Sequence, residues 1–169
     1  MSADNFDVLK WIRFAQMDYD TAVNMVNLHD PIPIEIVCYH CQQSVEKILK
    51  AYAIANGEKL IRTHDLSVLL NQCRQYSPGF SDYSKSCITL TMYASFSRYP
   101  SSVEITEQQM RKALKEATNI LEFTKLHLME MGYSVSVEKK NLPGKLEVVK
   151  EKTSDNNSGV LQKDKNYKR

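Results

Sequence analysis

The chain has 169 residues, 43% hydrophobic and 25% charged, with a net charge of +2. This suits one soluble globular domain with a sizeable core. Residues 1–137 hold 13 Lys and Arg against 15 Asp and Glu, and residues 138–169 hold 9 against 5. A mildly acidic body with a basic end argues against a broad nucleic-acid-binding face on the body.

The pattern is helical almost throughout. A first helix is expected over about Asn5 to Asn27, where Leu9, Ile12, Ala15, Tyr19, Ala22 and Val26 recur at three- and four-residue steps. Asp30-Pro31-Ile32-Pro33 breaks it, because proline is tolerated in a first helical turn but not later. A second helix follows from about Ile34 to Ala55, stopped by Asn56-Gly57. On a wheel at about 100° per residue, Val37, Cys41, Val45, Ile48 and Tyr52 fall on one side. Gln42, Gln43, Glu46, Lys47 and Lys50 fall opposite; this is expected to be either a solvated face or one on which Lys47 and Lys50 meet a phosphate or a partner's carboxylates.

After the short basic loop Lys59 to Arg62, Thr63 is expected to cap a third helix carrying Leu66, Leu69, Leu70 and Cys73. His64 and Asp65 stand at its start, where backbone N–H groups favour an anion. A fourth helix is expected from Ser81 to about Ser97, since Pro100 disfavours α geometry at Tyr99. Arg98 there is either a helix-end charge or an anion clamp. The last helix opens on the capping box Thr106-Glu107-Gln108-Gln109, runs through Met110, Leu114, Ala117, Leu121 and Leu128, and stops at Gly132. Five helices with short connections predict an all-α up-and-down bundle over residues 1–133. Residues 134–169 form a polar basic tail: Val135, Val137, Leu146, Val148 and Val149 alternate as in a short β-hairpin, and the segment after Lys150 is expected to be disordered.

Several chemistries are excluded by the residues. No phosphate loop, dinucleotide glycine signature or His-Glu-x-x-His helix is present, so no cofactor and no metal are expected. Cys38 and Cys41 have C-x-x-C spacing but lack a second ligand pair and lie within a helix, so Cys38, Cys41, Cys73 and Cys87 read as buried free thiols. With neither a signal peptide nor a run of about 18 apolar residues, a cytoplasmic protein with no membrane partner is expected.

Taken in order, the stretch Gln42 to Ala51, then Thr63-His64-Asp65-Leu66, then Arg98-Tyr99-Pro100, resembles the HEPN domain family. Ala15, Asp18, Tyr19 and Ala22 resemble that family's first helix, and the match covers about Asn5 to Gly132. The resemblance implies a bundle of about five helices, often a homodimer, with one of two activities. One branch consists of metal-independent endoribonucleases with an Arg-x(4–6)-His motif; the other resembles the helical partner of minimal nucleotidyltransferases. At the required distances after Arg98 stand Val103, Glu104 and Ile105, and neither Arg13, Arg62, Arg74 nor Arg111 is followed by a suitably placed histidine. The expected function is therefore a non-catalytic nucleotide-, RNA- or partner-binding module, homodimeric and paired with a separate nucleotidyltransferase, as in a toxin–antitoxin-like or nucleotide-modifying pair. By the same resemblance, Lys47, Lys50, His64, Arg98 and Tyr99 would line the site. The alternatives are a ribonuclease using His64 with Arg62 or Arg98, and a purely structural dimer.

Overall fold

The computed structural model describes residues 3–96 and 104–134, all within one compact unit, Met1–Val137. It contains α1 (Ala3–Leu28), α2 (Ile34–Ala55), α3 (Leu66–Arg74), a 3₁₀ turn (Pro78–Tyr83), α4 (Ser84–Phe96) and α5 (Glu107–Glu130). Five α-helices and no strand occur among the described residues. The expected hairpin and tail lie outside them. No helix of the described residues is long and apolar enough to cross a membrane.

The short connection at residues 29–33 folds α1 back antiparallel on α2. Residues early in α1 (Trp11) therefore face residues late in α2 (Lys50), while Asp18 meets His40 and Lys47. Val8, Ile12, Ala15 and Ala22 form the buried stripe of α1. The centre of the bundle is α2, which packs against α1, α3, α4 and α5. α3 turns Leu66, Leu69, Leu70 and Cys73 inward, at the three- and four-residue steps of a single helix face. Phe80 in the 3₁₀ turn is fully buried, with its ring 4.9 Å from Tyr52 and 5.0 Å edge-on from Phe123. α5 closes the core with Met110, Ala113, Ala117, Ile120, Leu121 and Leu128.

The helix ends explain the lengths. Both glycine stops take the left-handed conformation, Gly57 at φ 85° and Gly132 at φ 88°. In each, the next N–H reaches back over the glycine, Glu58 to the Ala53 carbonyl and Tyr133 to the Leu128 carbonyl, both at 3.0 Å. The capping box of α5 forms as the residues dictate.

Two boundaries depart from expectation. The N-cap of α3 is Asp65, whose carboxylate accepts from the Ser67 N–H at 2.8 Å; Thr63 instead accepts from the Asp65 N–H and shapes the approach. The fourth helix begins at Ser84 rather than Ser81, because Pro78 starts a tighter 3₁₀ turn that drives Phe80 into the core.

All four cysteines are buried free thiols. Burial pushes Cys38, Cys73 and Cys87 up to about 12, and Cys41 further up, so all are held protonated near neutrality.

Candidate functional site

Because α2 is enclosed by its neighbours, its polar side is not solvated. Gln42, Glu46 and Lys50 are 0%, 4% and 6% exposed. This corrects the expectation of a solvated face, and these groups must find partners within the protein.

They do so around two carboxylates. Glu46 accepts from Lys50 Nζ at 2.7 Å, His64 Nδ1 at 3.0 Å and Gln42 Nε2 at 3.1 Å. Gln42 Nε2 also donates to the His64 carbonyl at 3.2 Å, fastening the loop before α3 to α2. Asp18, from α1, accepts from His40 Nδ1 at 2.9 Å and from Lys47 Nζ. Gln43 joins the groups, donating to Gln42 Oε1 at 2.7 Å and accepting from Lys47 Nζ at 3.4 Å. Lys50 also lies 5.5 Å from the Trp11 ring, a cation–π contact that shields it further.

The carboxylates are ionised by these contacts. Burial alone would raise Glu46, yet hydrogen bonds from Lys50, His64 and Gln42 outweigh it and hold its pKa below the usual carboxylate range. Asp18 follows the same logic: burial opposes ionisation, and His40 and Lys47 more than offset it. An ionised carboxylate only accepts, so His64 and His40 each donate from Nδ1 and direct Nε2 elsewhere.

Of the residues expected to line a site, Lys50 and His64 thus meet on Glu46, and Lys47 sits one turn away on Asp18. Arg98 and Tyr99 lie outside the described residues. The His64 side chain is 69% exposed. Beside it in the chain, Lys59 and Arg62 are exposed, form no ion pair among the described residues, and flank the exposed apolar Leu60 and Ile61. Glu46, Asp18 and His40 are the members that sequence reasoning missed. For Glu46 the signal was the run Gln42, Glu46, Lys50 at four-residue steps opposite the apolar stripe, a ladder of alternating donors and acceptors; Asp18 and His40 pair across two helices, which no local spacing shows. Among the described residues no group of three or more His, Cys, Asp and Glu could hold a metal ion.

The model of the HEPN domain matches residues 8–127, which include both carboxylate centres. The chain belongs to the HEPN domain family. Two solved structures share the fold of this HEPN chain. TT1696 from Thermus thermophilus is 23% identical with a TM-score of 0.62, over 70% of this chain and 96% of its own. ST0689, an archaeal HEPN homologue, is 24% identical with a TM-score of 0.56, over 72% and 97%. A search of curated proteins gives no match.

Proposed function

We propose that this HEPN chain is a non-catalytic binding module whose ligand is anionic: a nucleotide, an RNA strand or the acidic face of a protein partner. In this reading it works as a homodimer beside a separately encoded nucleotidyltransferase in the cytoplasm. One observation carries it: the basic loop Lys59–His64 is displayed at the surface while Glu46 and Gln42 hold His64 from behind. Lys47 and Lys50, already neutralised by Asp18 and Glu46, position this loop rather than touch the ligand. Lys59, Arg62 and His64 supply the contacts, with Arg98 as phosphate clamp and Tyr99 as stacking surface.

Calorimetric titration of the full chain with ATP, GTP and a short RNA tests the proposal. Saturable binding by at least one of these, weakened about tenfold or more in Arg62→Ala, is the expected result. No heat with any ligand and no complex with a nucleotidyltransferase would leave the purely structural dimer.

One observation favours a second reading. A largely exposed histidine oriented at Nδ1 by a buried carboxylate is the arrangement of a general base. RNA cleavage by the purified protein that disappears in His64→Ala would replace the non-catalytic reading with a ribonuclease of unusual site.

A further inference from the structure

Ser77 stands at the N-cap of the 3₁₀ turn, where a serine hydroxyl ordinarily accepts from the turn's own N–H groups; here it makes no such bond. It reaches instead across the fold to α5, where its Oγ lies 3.0 Å from His127 Nε2. The other ring nitrogen of His127, Nδ1, lies 3.0 Å from the Phe123 carbonyl one turn back. A carbonyl only accepts, so Nδ1 carries the proton, and in the neutral ring Nε2 offers its lone pair. The Ser77 hydroxyl is therefore the donor.

Aromatic neighbours fix the ring in this attitude: Tyr52 edge-on at 5.9 Å, Phe80 at 5.8 Å and Phe123 at 4.4 Å between centroids. Gly79 brings the turn against α5, since a Cβ there would come within 2.9 Å of the Phe123 ring. Ser77 and His127 are both only partly buried. A hydroxyl, a base on its proton and a third group that fixes the base are the parts of an activated nucleophile. Neither the two carboxylate centres nor the basic loop uses them.

We propose that Ser77 is a nucleophile with His127 as its general base, and that the pair takes an acyl group from a small aryl ester. Ser77 Oγ attacks the ester carbonyl carbon as its proton passes to His127 Nε2. The bond to the phenolate oxygen then breaks, the proton leaves with the phenol, and an acyl ester remains on Ser77. A phenolate departs readily, so this substrate class asks little of the site beyond the pair itself. The site does not rest on the anionic ligand proposed for the basic loop.

The test is incubation of the full chain with p-nitrophenyl acetate, read by nitrophenol release and by peptide mass spectrometry. One acetyl group on Ser77 is expected, formed about a hundredfold more slowly in His127→Gln and absent in Ser77→Ala, with lysine acetylation unchanged. Ser77→Cys, which keeps a nucleophile at the same place, should be acetylated there in turn. Each variant is assayed below its own Tm, and wild type unfolded in urea, which parts Ser77 from His127, should lose the reaction as His127→Gln does. The proposal is overturned by acetylation confined to other residues, by an equal rate at Ser77 in His127→Gln, or by an equal rate there in the unfolded chain.

Discussion

Glu46 concentrates four donors, from Lys50, His64, Gln42 and Gln43, on two oxygens at a position only 4% exposed. Its value to the fold is asymmetric. Removing the carboxylate strands Lys50, which is almost as deeply buried and has no other carboxylate within reach among the described residues. Glu46→Ala should therefore destabilise the protein by roughly 3 kcal/mol or more, read from urea unfolding. Replacing both partners, as in Glu46→Leu with Lys50→Met, removes the stranded charge and should recover much of that loss. A double variant as unstable as the single one would show that the damage lies in His64 and the loop, not in the ion pair.

The helices show what could be read in the sequence and what could not. The bounds of α2, the capping box of α5 and the stops at Gly57 and Gly132 were legible because each is written in residues a few positions apart. The membership of the bundle was legible because apolar stripes need only spacing. The burial of Gln42, Glu46 and Lys50 was not, since a helical wheel describes one helix and says nothing of how many neighbours enclose it. The α3 cap failed on a finer point: Thr63 and Asp65 are both good caps, and the choice depends on where Leu66 must enter the core. Asp65→Ala should cost about 1 kcal/mol, seen as a lower urea midpoint, and Thr63→Ala clearly less. The reverse order would return the cap to Thr63.

At the scale of the molecule, acid and alkali should each weaken the fold for different reasons. Asp18 and Glu46 have pKa values held below those of the unfolded chain, so unfolding in acid takes up protons. Their stabilisation is present above about pH 4, the ordinary carboxylate range, and is lost as pH falls through the lowered folded values. The buried thiols act in the opposite direction: Cys38, Cys73 and Cys87 are pushed up to about 12, whereas unfolded thiols ionise near about 8.5. Their share is complete below that pH and is lost as the medium approaches the folded values. Calorimetric Tm against pH should show a plateau from about 5 to 8 with losses on both sides, and a Tm still rising below about pH 4 would contradict the carboxylate assignments.

The pairing of Asp18 with His40 and Lys47 has a further consequence for how α1 is seated. The buried stripe of α1 repeats a small residue every seven positions, Ala15 and then Ala22. Apolar packing alone would accept α1 displaced lengthwise by two turns, one alanine taking the other's place. Such a slip would bring Trp11 or Met25 to the place of Asp18, and neither offers a carboxylate to accept the hydrogen bond from His40 and neutralise Lys47. The carboxylate thus serves as an index mark, singling out one alignment of two long helices among those their greasy surfaces would tolerate.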